Sequence, residues 1–396
     1  MSCKVLILII CLVTSSAVAE AQEVRLYAYG HSLVDHRPPR VPTPSDQTTI
    51  IHWINDIAKA AGKNFSATGQ YGFLPSHAAA PPKSQWGYQD VARSWDEEVE
   101  DYATADITTV LMTAANFIQY EAPSAPHPID PSTSVVEATE TIIDWTEAQK
   151  PETRYYVYAH WPEMDLRSEY PPTVPDADEI AHFHASTRGD FASWWIDYHD
   201  DLLTSRPDLA VKLIPAGAIM SEIITDILGE NVPFEELYED SAPHGRASLY
   251  FLSGMISYMC IYQENIPADY RPDDTVHPYI CQELSRIRQL AWSRLADYAD
   301  DNGGSRVFFS SSTSTVDISS TPIDLEIMRT GDGLYQLTSS STLQGWSALT
   351  MSGVLLYSSR LASSTYRIDL SSVSKGLYLI VAHDRDGQDQ VRKVVR

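Results

Sequence analysis

Short, almost continuously apolar runs alternate with amphipathic stretches over the first three quarters of the chain. The apolar runs cover residues 24–29, 108–113, 155–159 and 211–215. The amphipathic stretches cover residues 49–61, 135–149, 183–203, 249–262 and 278–299. Buried strands separated by helices are typical of a parallel sheet that is covered on both faces. The pattern therefore predicts an α/β domain, which we place at residues 22–302.

The pattern changes beyond residue 302. Residues 310–315 are all serine or threonine, which is typical of a linker, and we place that linker at 303–320. Short alternating runs follow at 324–328, 333–337, 354–357, 366–370 and 377–381, with turn residues between them. Regularly spaced short strands indicate a small all-β sandwich over residues 321–396.

The first residues have the features of a secretory signal peptide. Lys4 is followed by the apolar run 5–13 and then by small residues up to Ala21. The run has about half of the ~20 residues that a membrane span needs. We therefore predict a signal peptide over residues 1–21, no transmembrane segment, and a protein that is secreted or held at the cell surface.

Charge and cysteine content narrow the classes of partner. The chain has 28 lysine and arginine residues against 53 aspartate and glutamate residues, a formal net charge of −25. Such a surface repels phosphate backbones and anionic lipids, so nucleic acid is not an expected partner and a neutral substrate is favoured.

Cys260 and Cys281 remain after removal of the predicted signal peptide. They are too few for a structural zinc site, no metal is predicted, and a disulfide between them is left open.

The strongest candidate for chemistry is Ser32, which stands in a Gly-x-Ser-Leu segment directly after the first predicted strand. A serine at the carboxyl end of a strand in a parallel sheet lies where such sheets bind ligands. A nucleophilic serine also needs a base and a group that orients the base, and Asp240 and His244 supply these residue types on one short loop. Each of the three also fits a structural use, as a turn serine, a capping aspartate or a loop histidine.

Two further segments offer donors for an oxyanion, the negatively charged oxygen of a tetrahedral intermediate. Gly69 and Gly72 lie in the segment 68–74, which follows a further likely strand between the runs at 24–29 and 108–113, and either can present a backbone N–H. Asn116 follows the run at 108–113, and its side-chain amide can donate as well. Asparagine in a loop also commonly bonds to its own backbone, so this residue alone is a weak signal.

The order of these segments resembles that of the SGNH/GDSL hydrolases, over roughly residues 24–298. The similarity is greatest to a secreted bacterial branch of that superfamily. The resemblance implies a flavodoxin-like three-layer α/β/α fold and ester hydrolysis without a cofactor. It implies these roles: Ser32 as nucleophile, His244 as general base, Asp240 as its orienting group, and the Ser32 N–H, a glycine N–H (Gly72 rather than Gly69) and Asn116 as the oxyanion hole.

The sequence departs from the family pattern in several places. His31 stands where the family usually has Asp or Asn, and the asparagine block lacks its usual glycine and aspartate. The usual Asp-x-x-His spacing is one residue longer between Asp240 and His244, so Glu239 is an alternative orienting group. A literal Asp-x-x-His at 274–277 ranks second, because the residues after it resemble the family's final helix.

The last residues resemble a type IX secretion sorting domain. The resemblance rests on the segment KGLYLIV at 375–381 and on the terminal residues RKVVR at 392–396. It implies export across the outer membrane by the type IX secretion machinery, often with removal of this domain. The alternative is an ancillary carbohydrate-binding sandwich.

Together these patterns predict a secreted serine esterase that removes acyl groups, most simply acetyl, from a polysaccharide or oligosaccharide. His31 beside the serine and Trp161 after the run at 155–159 are the candidate substrate-binding residues. Two alternatives remain, a non-catalytic surface glycan-binding protein on the same scaffold and a lipase-like or polymer-ester hydrolase.

Overall fold

The computed structural model describes residues 23–37, 47–164, 170–207, 209–300, 303–309, 325–331, 333–350, 355–359, 362–371, 373–383 and 389–396. The predicted signal peptide and residues 310–320 of the predicted linker lie outside the described residues. Contacts divide the chain into two compact units, Met1–Ser310 and Ser311–Arg396.

The first unit is built on one parallel sheet of five strands. The strands are β1 (Glu23–Gly30), β2 (Asn64–Tyr71), β3 (Thr109–Met112), β4 (Arg154–Tyr158) and β5 (Val211–Ile214). Their order across the sheet is β2-β1-β3-β4-β5, and every neighbouring pair is parallel. This is the flavodoxin-like strand order of doubly wound α/β folds, in which ligands bind beyond the carboxyl ends of the strands.

Helices cover both faces of this sheet. They are α1 (Ile50–Ala60), α2 (Leu74–Ala78), α3 (Val135–Gln149), α4 (Ala177–Arg188), α5 (Asp190–Ser205), α6 (Ala216–Ile223), α7 (Ala247–Tyr262) and α8 (Pro278–Asp297). Successive strand residues enter two separate cores: Leu26 and Ala28 pack with α1, α7 and α8, whereas Tyr27 and Tyr29 pack with α3 and α5. Strand side chains alternate between the two faces of the sheet. Since helices cover both faces, the side chains on both are apolar, and each strand appears in the sequence as a continuous apolar run.

The structure corrects the predicted helix at 183–203. Two helices, α4 and α5, occupy this region and meet at Gly189. The first begins at Ala177, where Asp176 and Glu179 form a capping box. The apolar period runs on through both helices, so periodicity alone does not reveal the break.

Residues 303–309, which the sequence assigns to the linker, are part of the first unit and pack against its sheet. The Leu213 N–H donates to the Arg306 carbonyl at 2.8 Å, so this segment lies along β5, the edge strand of the sheet. The Arg306 guanidinium forms an ion pair with Asp200, and the Val307 side chain is fully buried. We name residues 303–309 the edge segment.

The second unit is an antiparallel all-β domain. Its strands are β6 (Leu325–Gly331), β7 (Leu334–Leu343), β8 (Gly345–Thr350), β9 (Leu355–Ser359), β10 (Ser363–Asp369), β11 (Leu377–His383) and β12 (Asp389–Val395). They form a three-stranded sheet, β10-β7-β6, and a four-stranded sheet, β12-β11-β8-β9. Leu337 and Ile368 from the first sheet share one core with Ala348 and Ile380 from the second. The five predicted runs correspond to strands, while β8 and β12 have no counterpart among them.

The two cysteines whose pairing the sequence leaves open are both free thiols. Cys260 is fully buried on α7, and burial raises the pKa of its thiol well above the usual range. No helix among the described residues is long and apolar enough to cross a membrane.

Candidate active site

Ser32 lies in a tight turn at the carboxyl end of β1, partly open to solvent. The N–H groups of Val34 and Asp35 both donate to the carbonyl of His31, at 2.9 and 3.2 Å, which closes the turn. Gly30 is required at the entry, because a β-carbon there would come within 2.8 Å of the Val34 side chain. The fold therefore presents Ser32 at the edge where a doubly wound sheet binds ligands.

Asp240 and His244 form a hydrogen-bonded pair. The Nδ1 atom of His244 lies 2.9 Å from Oδ2 of Asp240. The other carboxylate oxygen accepts the backbone N–H groups of Ala242 at 3.1 Å and of His244 at 3.0 Å. The Glu239 N–H donates to the His244 carbonyl at 2.7 Å. These bonds fold the longer Asp-x-x-x-His segment into a compact loop, which we name the acid–histidine loop (residues 239–245), so the extra residue does not separate the two side chains.

The charge of Asp240 determines the tautomer of His244. Burial alone would raise the pKa of this carboxyl group, but the hydrogen bonds from the His244 side chain and backbone outweigh it and lower the pKa to about 2. An ionised carboxylate only accepts hydrogen bonds, so Nδ1 of His244 carries the proton. In the neutral ring Nε2 then carries the lone pair, which is the form that a general base needs.

Two contacts hold the Ser32 turn against the acid–histidine loop and the helix that follows it. The Tyr250 hydroxyl, on α7, donates to the Ser32 carbonyl at 2.6 Å. The His36 ring stacks on the His244 ring, with centroids 3.9 Å apart and an interplanar angle of 8°. Within the described residues, neither the Oγ nor the N–H of Ser32 makes a hydrogen bond, so both are available to a ligand.

Both glycines of the predicted oxyanion hole belong to the backbone bonding around the end of β2. The N–H of Gly72 donates to the Gly30 carbonyl at 2.9 Å. Gly69 lies within β2, where it pairs with Ala28 and its carbonyl accepts the Trp86 N–H. Gly72 thus joins the end of β2 to the end of β1 and fixes the start of the Ser32 turn.

Asn116 is also engaged. Its side-chain amide donates to Oε1 of Glu163 at 3.2 Å and to the Ala242 carbonyl at 2.9 Å. Both amide protons are therefore used, and one bond ties the loop after β3 to the acid–histidine loop. An oxyanion would have to replace one of these two acceptors to receive a hydrogen bond from Asn116.

His31, predicted to bind substrate, is buried in the structure, which does not support that role. Its ring is 1% exposed and lies behind Ser32, where Nδ1 accepts the Leu33 N–H and Nε2–H donates to the Ala114 carbonyl at 3.0 Å. Nε2 of His160 faces the same carbonyl at 2.9 Å. Burial, followed by the neighbouring histidine, lowers the pKa of His31 to about 3. His31 is a neutral structural residue that connects the Ser32 turn to the loop after β3.

Trp161 is likewise part of the interior. Its side chain is 1% exposed, and its indole N–H donates to the Pro243 carbonyl at 2.9 Å. No face of the ring is open, so its burial does not support the predicted contact with substrate. Trp161 instead supports the acid–histidine loop from below.

The two alternative residues occupy other positions. The Glu239 carboxyl lies 3.4 Å from Nε2 of His36. His277 caps α8, where its Nδ1 accepts the Tyr279 N–H at 3.2 Å. Of the acids that the sequence offers for His244, Asp240 is the one hydrogen-bonded to its ring.

An open cleft lies beside Asn116. It has a volume of about 410 Å³ and is lined by Phe117, Tyr120, Phe191, Glu163 and Asp190, among others. Aromatic side chains continue along the same edge of the sheet: Phe73 contacts both Phe117 and the His31 ring. No group of three or more His, Cys, Asp or Glu side chains suited to a metal occurs in the part of the chain that the structure describes.

Sequence reasoning missed His36, Tyr250 and Glu163. His36 and Tyr250 stand within a few residues of predicted site residues, but no spacing rule marks a stacked ring or a hydroxyl aimed at a serine carbonyl. Glu163 follows Trp161 on the loop after β4, and the carboxyl end of a parallel strand is the one general signal that could have indicated it.

Comparison with known proteins adds little. No protein-family model matches the chain. No curated protein matches it either. Among solved structures it is similar to a carbohydrate esterase family 2 enzyme plus carbohydrate binding domain from Corynascus thermopiles (Myceliophthora fergusii), with 11% identity, 62% of this chain and 67% of that chain covered, and a TM-score of 0.32. A likeness of this size defines neither the family nor the activity.

Proposed function

We propose that the chain is a serine ester hydrolase in which Ser32 is the nucleophile, His244 the general base and Asp240 the group that orients the base. The observation that carries this proposal is the Asp240–His244 pair, with its Nδ1–H tautomer fixed, held against the turn that bears Ser32. Nucleophile, base and orienting group are the parts that acyl transfer requires.

The reaction divides into two steps of the same kind. Nε2 of His244 takes the Ser32 hydroxyl proton as Oγ bonds to the ester carbonyl carbon, and then gives that proton to the departing alcohol. Water attacks the resulting acyl-serine, His244 accepts its proton, and Ser32 leaves with the proton restored. Asp240 stays ionised throughout and stabilises the imidazolium that forms in each step.

The negative charge that develops on the carbonyl oxygen needs donors. The Ser32 N–H is one, because it makes no hydrogen bond within the described residues. The Asn116 amide is the second, on exchange of its bond to Glu163 or to the Ala242 carbonyl for the oxyanion. The N–H of Gly72 is already bonded to the Gly30 carbonyl, so we expect Gly72 to hold the Ser32 turn in place rather than to donate to the oxyanion.

We propose acyl esters of a carbohydrate as the substrate, with acetyl as the simplest acyl group. The cleft beside Asn116 supports this choice, since it combines aromatic faces with carboxylates that can accept hydroxyl hydrogen bonds. Tyr120 is 71% exposed at its rim, so an aromatic face is open to a sugar ring.

The test is the substitution Ser32→Ala. We expect turnover of p-nitrophenyl acetate and of acetylated oligosaccharides to fall by at least about 10⁴-fold, because a triad nucleophile has no substitute. Labelling by a fluorophosphonate probe should disappear as well. Ser193→Ala, an exposed serine on α5, serves as the matched control and should keep both. Normal turnover by Ser32→Ala would refute the proposal.

A glycan-binding protein without activity is the second candidate. One observation favours it. Among the described residues Ser32 Oγ makes no hydrogen bond, and the Asn116 amide is bonded to Glu163 and to the Ala242 carbonyl instead of being open to an oxyanion. Oligosaccharide binding by a chain that no fluorophosphonate labels would identify this function.

Export is a separate proposal. We propose that residues 1–21 direct secretion and that the second unit is a sorting domain read by the type IX secretion machinery. The all-β fold of that unit supports this proposal. Deletion of residues 321–396 should then leave the first unit inside the cell envelope, and unchanged release into the medium would argue against a sorting role.

A further inference from the structure

A second imidazole–carboxylate pair lies directly against the first. His36 follows Ser32 by four residues, and its ring is stacked almost parallel on the His244 ring at 3.9 Å. Nε2 of His36 lies 3.4 Å from Oε2 of Glu239, whose side chain is 2% exposed. The structure thus repeats, beside Asp240 and His244, the same combination of side chains.

Both members of this second pair are fixed through their backbones. The His36 N–H donates to the Thr48 carbonyl at 3.0 Å, and the Thr48 hydroxyl donates back to the His36 carbonyl. The Glu239 N–H donates to the His244 carbonyl at 2.7 Å. The backbone of His36 is therefore held by Thr48, and that of Glu239 by His244, so both side chains start from fixed positions.

The stack restrains a motion that Asp240 leaves free. A single hydrogen bond at Nδ1 holds one corner of the His244 ring, and the ring can still tilt about that bond. A flat ring at 3.9 Å blocks tilting toward His36. Proton transfer needs Nε2 aligned with the serine oxygen, and small errors in such alignment are costly in rate.

We propose that His36, oriented by Glu239, is a positioning residue that holds the His244 ring in the plane required for proton transfer. This proposal rests on the proposed hydrolase function for its kinetic consequence. His36 takes no proton from substrate and acts through His244 alone. Two planar side chains and two carboxylates then form one assembly that keeps the base in place.

Three variants test it kinetically. His36→Ala removes the ring and should lower kcat about tenfold, with KM changed less than about twofold, because substrate contacts stay intact. His36→Phe restores a flat ring and should recover most of the lost kcat. Glu239→Gln, which weakens the contact to His36, should have a smaller effect than His36→Ala. His199→Phe is the control and should leave kcat unchanged, because His199 lies on α5 and its ring faces the Val211 carbonyl at the start of β5, away from the carboxyl ends of the strands.

An NMR measurement separates this proposal from the hydrolase proposal. The Nδ1–H proton of His244 gives a resonance that can be assigned by its loss in His244→Gln. In His36→Ala its exchange with solvent should become about tenfold faster, and in His36→Phe it should stay near the wild-type rate. Urea unfolding of each variant shows that it is folded.

The outcomes are distinct. Unchanged kcat and unchanged Nδ1–H exchange in His36→Ala would overturn the positioning role. Equal impairment in His36→Phe and His36→Ala would also overturn it, because a flat ring would then not suffice. A wild-type protein that hydrolyses no ester would refute the hydrolase function, while the exchange rates would still decide whether His36 restrains His244.

Discussion

Histidines lie on both sides of the Ser32 turn, and their surroundings give them opposite properties. His244 is at the partly exposed edge, where an ionised carboxylate fixes its proton on Nδ1. His31 and His160 lie behind the turn with 1% exposure each, and both face the Ala114 carbonyl. Burial lowers their pKa values to about 3 and about 4, so they stay neutral at pH 7. The same side chain is a candidate base on one side and a structural part on the other, and the neighbouring groups decide which.

The largest effect is expected from the substitution Asp240→Asn, which tests the role of the partly exposed His244. An amide can donate to Nδ1 and so favours the wrong tautomer of His244, and we expect kcat to fall about 10⁴-fold in p-nitrophenyl acetate assays. Asp274→Asn, an exposed aspartate in the second Asp-x-x-His segment, is the matched control and should be fully active. Full activity of Asp240→Asn together with inactivity of Glu239→Gln would make Glu239 the orienting group.

The substitution His160→Phe tests the buried side through the pH dependence of stability. The pKa of His160 is lowered to about 4 in the fold from an ordinary value of 6.5. As pH falls from 6.5 to 4, the unfolded chain therefore binds a proton that the folded chain does not, and stability is lost. We expect His160→Phe to reduce the slope of the unfolding free energy in this window by about 1.4 kcal/mol per pH unit.

Urea unfolding at several pH values measures that slope. His182→Gln replaces a histidine that is exposed on α4 and should leave the slope as in the wild type. An unchanged slope in His160→Phe would show that His160 is not held neutral by burial.

The smallest effect is expected from loss of the hydrogen bond between the Tyr250 hydroxyl and the Ser32 carbonyl. Tyr250→Phe keeps the ring and removes the hydroxyl that donates to the Ser32 carbonyl, so we expect about 1 kcal/mol lower stability and about a fivefold lower kcat. Tyr258→Phe is the matched control on the same helix, because its hydroxyl donates to Glu264 instead. It should lose similar stability without loss of kcat. Equal kcat values in the two variants would remove Tyr250 from the site.

The sequence predicts the sheet and the two-unit organisation well because both depend on local patterns of apolar and polar residues. Both faces of β1 and β4 are buried, and buried strands of this kind form uninterrupted apolar runs. The break at Gly189 is not visible, since the apolar period continues through it. The edge segment was assigned to the linker because its bonds to β5 are made to residues far away in the chain.

The site is less accessible to sequence reasoning. The roles predicted for Ser32, His244 and Asp240 remain predictions, although the hydrogen bond between the last two fits them. The sequence does not reveal the burial of Trp161 and His31 because burial depends on tertiary packing, and an aromatic ring or imidazole at a strand end looks the same in the sequence whether it points into the protein or out. The hydrogen bonds of the Asn116 side-chain amide are made to Glu163 and Ala242, which are distant in sequence, so no local pattern predicts them.

The edge segment bears on how the first unit can be produced alone. A truncation after residue 302 would strip the backbone partner from Leu213 and leave β5 with an open flank, which invites pairing between molecules. A cut after residue 309 would preserve the Arg306–Asp200 ion pair and the buried Val307. The seven residues of the edge segment therefore decide whether an isolated first unit keeps β5 covered or exposes it to other molecules.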